Sequence, residues 1–248
     1  MKELTLVSCS YNTPEITTTM LKSFYHNHKS LISKIHLVLM ENSTNEETTA
    51  ILDSYKVPYI RRKGSTHSIA VDEALKTVKT KYALLVDTDV VFHKPISLAY
   101  NIFKEQTCVS MGKLCGSRGG YNLIPRIHPW FNLINIEEIN RCNISFHDQK
   151  RIDDSNSGSF FGNIPLNFDK TGRYYDVGST FLEDILINNL KVVDINAENN
   201  IFTHYEGMSW YKNVEHQFFQ GKYDSNYKRF MIEYNRYKGV NIKNRFMI

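Results

Sequence analysis

The chain has 248 residues, 42% of them hydrophobic and 23% charged, with 15 Tyr, 14 Phe and 2 Trp, the balance of a folded globular protein rather than a disordered or collagen-like one. Its 30 Lys and Arg against 26 Asp and Glu leave a net charge of +4, which suits phosphorylated ligands but is too small to indicate nucleic acid. No apolar run approaches the roughly 20 residues that span a bilayer, and the start Met1-Lys2-Glu3 leads into no signal-like apolar region, so a cytoplasmic location is expected.

Leu4 to Cys9 is a short apolar, β-branched run closed by the turn-forming Ser10-Tyr11-Asn12, and it reads as a buried strand. Thr13 is placed to cap a helix with Pro14 at its first position, and Ile16, Met20, Leu21 and Phe24 recur at helical spacing. Lys34 to Met40 reads as a second strand that stops at Glu41-Asn42-Ser43-Thr44-Asn45, and a helix follows over 46–55. Val57 to Arg61 reads as a third strand and Ser68 to Val78 as a third helix. Tyr82 to Val86 is a fourth strand running into Asp87-Thr88-Asp89. This alternation predicts an α/β protein with a mostly parallel central sheet, helices on both faces and ligands beyond the carboxyl ends of the strands. Three polar strand ends, 10–12, 41–44 and 87–89, are expected to gather along one edge.

Past Pro95 the pattern loosens. A helix is expected from Ile96 to Phe103 and a strand from Thr107 to Lys113, followed by the glycine-rich stretch 116–120. Pro125 to Gly172, rich in Asn, Gly and aromatics, reads as a long irregular connection of the kind that is usually functional or disordered. A helix from Ser179 to Asn189, a strand from Lys191 to Ile195 and an aromatic, basic stretch from Ser209 onward complete the pattern, and no linker divides it into separate domains. Cys9, Cys108, Cys115 and Cys142 show no C-x-x-C pair and no histidines at zinc-site spacing, and they read as reduced thiols.

The sharpest chemical signal is Leu84-Leu85-Val86-Asp87-Thr88-Asp89, two carboxylates one residue apart at the end of a buried strand. Such a turn offers oxygens to Mg2+ or Mn2+, which accept them together with phosphate oxygens and water. A simple polar turn is the alternative. In order and spacing, Leu6-Val7-Ser8-Cys9-Ser10-Tyr11-Asn12, Leu37-Val38-Leu39-Met40-Glu41-Asn42-Ser43-Thr44, the stretch Ser68 to Tyr82 and the D-x-D strand together resemble the family 2 glycosyltransferases of the GT-A fold. The resemblance implies a nucleotide-diphosphate sugar, UDP-linked by default, with Mn2+ or Mg2+ on Asp87 and Asp89. It also implies inverting transfer to an acceptor hydroxyl of a glycan or glycoconjugate. Residues 1–95 would be the nucleotide-sugar half, 96–208 the acceptor and catalytic half, and 209–248 a C-terminal extension of one domain.

Residue by residue, the resemblance sets Ser10, Tyr11 and Asn12 against the base or ribose, with Thr88 and Asp87 on the donor. Glu41 falls where an Asp commonly reads the base, and Asp72 stands where many relatives have Asn, after Val71 in place of their Arg, on a helix that the resemblance sets against the donor diphosphate. Arg61, Arg62, Lys63 and His67 precede that helix and add positive charge, with a solvated basic turn as the alternative. Tyr174 to Ser179 followed by Phe181-Leu182-Glu183-Asp184-Ile185 resembles the segment that holds a catalytic carboxylate, with Asp176 favoured as base, Asp184 or Glu183 as rivals, and a helix-capping role for Asp176 as a third reading.

His204, in Thr203-His204-Tyr205-Glu206-Gly207-Met208-Ser209-Trp210, falls where related enzymes complete the metal sphere or touch the diphosphate. The segment Pro125-Arg126-Ile127-His128-Pro129-Trp130-Phe131 offers an aromatic face to a sugar ring, which sets the acceptor near Arg126, His128 and Trp130, in competition with core packing. The aromatic face of the C-terminal stretch is expected to pack on the rest of the chain with its basic face solvated, and contact with an anionic membrane surface is the alternative. Two other functions fit parts of the sequence. One is a haloacid-dehalogenase-type phosphatase using Asp87-Thr88-Asp89-Val90-Val91 with Asp153-Asp154; the other is a non-catalytic glycan- or nucleotide-binding module.

Overall fold

The computed structural model describes residues 3–63, 65–115, 125–148, 159–161, 164–166, 177–195, 200–208 and 220–246. The apolar run Leu4–Ser10 forms β1, buried at every residue but Cys9, because a strand with neighbours on both sides and helices on both faces has no solvent side. It lies parallel between β2 (Ile35–Glu41) and β4 (Tyr82–Asp87), in registers that pair Ser10 with Glu41 and Cys9 with Asp87. With β3 (Ile60–Arg61), β6 (Ser110–Cys115), β7 (Arg126–Asn135) and β10 (Val192–Asp194), these strands make a seven-stranded sheet of order β10-β6-β7-β4-β1-β2-β3. Within it β7 runs antiparallel to both neighbours, and the other pairings are parallel.

Helices cover both faces. On one, Leu6, Leu84 and Val86 meet Met20 and Phe24 of α1 (Pro14–Asn27), Leu52 of α2 (Glu47–Tyr55) and Phe103 of α4 (Ser97–Glu105). On the other, Val7, Ala83 and Leu85 meet Val71 and Leu75 of α3 (His67–Lys76), Ile139 of α5 (Ile136–Arg141) and Phe181 and Ile185 of α6 (Ser179–Ile187). His28 ties the end of α1 to the start of α4. Its ring stacks on Phe24 with centroids 4.1 Å apart, Nδ1–H donates to the Phe24 carbonyl at 2.7 Å, and Nε2 accepts the Ile96 N–H at 2.9 Å. Thr13 precedes α1 as expected, but its hydroxyl caps no helix N–H and meets Thr17 Oγ1 at 3.2 Å instead.

Two smaller sheets stand apart from the main one: β5 (Val90–Phe92) pairs antiparallel with β11 (Phe202–His204), and β8 (Ser159–Phe161) with β9 (Ile164–Leu166). The C-terminal helix α7 (Gln220–Tyr237) packs its aromatic side as expected. Phe230 and Tyr237 join Ile16, Val91, Tyr205 and Met208 in a third core, and Tyr237 donates its hydroxyl to the Phe92 carbonyl at 2.9 Å. Lys228, Arg229 and Ile232 stay exposed. Among the described residues no helix is long and apolar enough to cross a membrane.

The chief departure from expectation is β7. Residues 126–135, read as part of an irregular connection, form a ten-residue strand in the middle of the sheet. Its registers jump from Gly112↔Asn132 to Leu114↔Ile127, so residues 128–131 lie opposite Lys113 alone. Pro129 sits in this bulge, where its missing N–H does not interrupt the ladder. Gly112 allows the close approach, since a Cβ there would lie 2.8 Å from the Phe131 carbonyl oxygen. The third strand is also shorter than expected, pairing at Ile60–Arg61 alone.

Candidate active site

The carboxyl ends of β1, β2 and β4 meet at one rim, and Asp87 ends β4 there. Thr88 and Asp89 turn the chain directly into β5, whose partner β11 puts His204 opposite Val90, while the Tyr205 N–H donates to the Asp89 carbonyl at 2.9 Å. This short ladder carries His204 across 115 positions of sequence to the paired acids. One ligand atom from each of Asp87, Asp89 and His204 lies within 4.8 Å of the others, with His204 Nε2 3.2 Å from Asp89 Oδ1. His67, the first residue of α3, sets Nε2 3.4 Å from Asp87 Oδ1.

The electrostatics are those of crowded acids at the edge of a core. Burial pushes the Asp87 carboxyl above its usual range, His67 opposes the rise, the neighbouring Asp89 charge adds to it, and Arg126 helps to lower it. Burial alone would pull the His204 imidazole down, but the Asp89 carboxylate more than offsets this and holds it above the ordinary histidine value. Two carboxylates and one imidazole form a donor set that suits Mn2+ or Mg2+, ions that take oxygen ligands and tolerate imidazole. A cation bound there would relieve the like-charge repulsion between the acids.

The rest of the rim is tied together by its own hydrogen bonds. Asn12, held at φ 52°, donates its N–H to Ser43 Oγ at 2.7 Å and accepts the Thr44 N–H at 3.1 Å. Glu41 is fully buried; one carboxylate oxygen accepts the Ser43 N–H at 3.0 Å and the other pairs with Arg61. Arg61 also reaches Glu46 at 2.9 Å, and Arg62 pairs with Glu73. The Ser10 hydroxyl is buried without a hydrogen-bond partner among the described residues, and Tyr11 stands 37% exposed beside it.

Behind the rim, Asp72 on α3 holds a strap formed by residues 145–147. Its carboxylate accepts the Phe146 N–H at 2.7 Å, the His147 N–H at 2.9 Å and the Ser145 hydroxyl. The same strap reaches α6, where Asp184 accepts the Ser145 N–H at 3.4 Å and Thr180 donates to the Ser145 carbonyl at 3.2 Å. On the neighbouring strand, the β4–β7 register ends at Val86↔Phe131, so Trp130 follows next to Asp87 at the end of β4. The indole stacks on the His204 ring with centroids 5.0 Å apart and planes 10° from parallel, and His128 lies 5.5 Å from the indole on its own strand.

Residues 5–151 match the description "Glycosyl transferase family 2". The chain belongs to that family. No curated protein matches the sequence. Among solved structures, this family 2 chain is similar to the galactosyltransferase LgtC in complex with donor and acceptor sugar analogues, at 13% identity over 94% of this chain and 95% of that one, TM-score 0.56. The glycosyltransferase GlyE of Streptococcus pneumoniae TIGR4 matches at 12% identity over 98% and 65%, TM-score 0.53. The mannosyltransferase PcManGT of Pyrobaculum calidifontis, in complex with GDP-Man and Mn2+, matches at 12% over 71% of this chain, TM-score 0.48, and the present chain spans 56% of its length. At these identities the likeness is one of fold, and the fold is GT-A-like.

Among the residues singled out from the sequence, the family 2 structure brings Asp87, Asp89, His204 and His67 into one cluster, with Trp130 against it. Asp72 and Asp184 share the 145–147 strap. Glu183 is half-buried on α6. Asp176, like Asp153 and Asp154, lies outside the described residues. Three features went unread in the sequence: the Trp130–His204 stack, the strap and the close seat of Gly178. A Cβ on Gly178 would meet the Ile127 carbonyl oxygen at 2.0 Å. The glycine before a helix was visible, but nothing local pointed to its distant partner.

Proposed function

We propose that the chain transfers a sugar from a nucleotide-diphosphate sugar, UDP-linked, to a hydroxyl of a glycan or glycoconjugate, with inversion and with Mn2+ or Mg2+. The observation that carries this reading is the convergence of Asp87, Asp89 and His204 at the carboxyl ends of parallel strands in a family 2 chain. Asp87, Asp89 and His204 hold the cation, and His67 steadies Asp87 or meets the diphosphate. Ser10, Tyr11 and Asn12 face the nucleoside. Glu41, with both oxygens engaged, acts by fixing Arg61 and the Ser43 backbone at the rim. Arg126, His128 and Trp130 flank the acceptor.

In the transfer, the acceptor hydroxyl gives its proton to a carboxylate, Asp176 by preference over Asp184 or Glu183, as its oxygen bonds to the anomeric carbon. The bond from that carbon to the diphosphate breaks on the opposite face, and its electron pair leaves on the phosphate oxygen. A bound divalent cation supplies the Lewis acidity that neutralises the departing charge. The 3.4 Å contact of Asp184 with the strap supports keeping it second as the base. The phosphatase alternative gains nothing from the family match, since it would need Asp87 as a nucleophile on the first strand of its domain, and three strands precede β4 here.

The test is a screen of nucleotide-diphosphate sugars for Mn2+-dependent thermal stabilisation, followed by anomeric analysis of the product. Asp89→Ala is expected to lower transfer by roughly a hundred- to a thousandfold, the range for losing one charge-stabilising group. Full activity of Asp89→Ala, or of the chelated enzyme, would overturn the reading.

A further inference from the structure

Trp130 and His204 arrive at the same place by unrelated routes. The bulge at 128–131 delivers Trp130 to the rim beside Asp87, and the pairing of β11 on β5 delivers His204 beside Asp89. The indole packs edge-on against Phe202 at 5.5 Å and lies flat on His204 at 5.0 Å, so it touches two side chains of one short strand. Bulges next to functional sites re-aim a side chain, and here the re-aimed side chain is the one lying on a candidate cation ligand.

From this stack we infer that Trp130 is the positioning residue for His204, fixing the plane in which its imidazole presents Nε2 to the cation. The inference rests on the cation role proposed above. Asp89 constrains one atom of the imidazole, whereas a parallel aromatic face constrains the rotation of the whole ring. Coordination to a dication withdraws electron density from an imidazole, and an electron-poor ring is better matched to the electron-rich indole face. The stack therefore favours the coordinated form of His204 over other orientations. Outer partners that orient a metal ligand by hydrogen bonding typically change metal affinity 10- to 100-fold when removed, and a stacked ring, which makes no such bond, is expected at the lower end of that range.

Mn2+ affinity of the full chain, read by the EPR signal of unbound Mn2+, tests this in a double-mutant cycle. Trp130→Leu is expected to weaken binding about tenfold, and Trp130→Phe, which keeps an aromatic face, to recover most of the loss. In the His204→Ala background, Trp130→Leu is expected to change affinity by less than about twofold, because a residue that acts through His204 has nothing left to act on. With Trp210→Phe leaving Trp130 as the sole tryptophan, its emission should be quenched by paramagnetic Mn2+ in step with the EPR titration, a readout that needs no change at Trp130. Equal losses in both backgrounds, unchanged affinity in Trp130→Leu, or emission indifferent to bound Mn2+ would overturn the inference while leaving the proposed function standing. A wild-type chain that binds no Mn2+ would remove both.

Discussion

The two sides of the central sheet follow different rules of construction. On the side of β1, β2 and β4, strands and helices alternate in short units, and parallel pairing alone turns Ser10, Glu41 and Asp87 to one rim. On the side of β7, order depends on contacts between residues far apart in the chain: Ser110 with Asn132 at 2.6 Å, Ile127 with Gly178, Asp89 with Tyr205. The first arrangement yields a shelf whose position is insensitive to any one side chain. The second sets individual rings and carboxylates, and it should fail at single atoms.

Gly178→Ala is the hardest blow to that second side. Gly178 has φ 92°, a conformation costly for any residue with a Cβ, and the added carbon would lie 2.0 Å from the Ile127 carbonyl oxygen, which is backbone and cannot swing aside. Left-handed strain and overpacking together come to about 4 kcal/mol, to be read as a lower urea midpoint, with weakened Mn2+ binding because β7 carries Trp130. Gly239→Ala, where nothing lies within 4 Å, is the control and should stay within about 0.5 kcal/mol of wild type. A Gly178→Ala protein as stable as this control would mean that the two sides do not differ in the way described.

On the first side the weak point is chemical rather than steric. His28 is fully buried, and burial pulls its pKa down to about 4 against a hydrogen bond to Phe24 that acts the other way. Below the ordinary histidine value near 6.5 the unfolded chain binds a proton that the folded chain refuses, so stability falls as pH drops from 6.5 toward 4 and this contribution levels off below that. By pH 5 the loss is about 2 kcal/mol. The reason is visible in the contacts: a proton on Nε2 would face the Ile96 N–H that now donates to it. Chemical denaturation at pH 7.5 and pH 5 checks this, and His28→Gln should flatten the difference. A slope unchanged by His28→Gln would assign the acid sensitivity elsewhere.

The same contrast explains what could be read from the sequence. β1, β2, β4 and the helices between them follow apolar runs and turn residues that lie next to one another, and Asp87 and Asp89 announce themselves because they end such a run. β7 was hidden because Pro129 reads as a strand breaker and Asn132 interrupts the apolar run that follows it, and the bulge that accommodates Pro129 exists only in pairing with Gly112 and Lys113. β5 and β11, three residues each, are too short for any periodicity to register. His204 was legible through family resemblance and not through spacing, since the ladder that delivers it is a tertiary fact. Asp72 carried a polar expectation but gave no hint that its partners would be backbone groups some 74 positions away.

Asp72 is also where the two sides are sewn together, and it gives the smallest of the expected effects. Its two oxygens accept two backbone N–H groups and one hydroxyl from residues 145–147; burial raises its pKa while those hydrogen bonds oppose the rise. Asparagine keeps the shape but has one acceptor oxygen, and its NH2 must face an N–H donor. One hydrogen bond is lost and a donor is left opposed, while the burial of a charge is relieved, so the net destabilisation of Asp72→Asn should be about 1 kcal/mol. The pattern of the change matters more than its size. If Asp72 serves the strap, the unfolding midpoint falls and donor KM shifts by less than about threefold, because the diphosphate loses no contact. If it meets the donor as the family resemblance implies, donor KM rises and the midpoint barely moves. The contacts on the strap favour the first outcome.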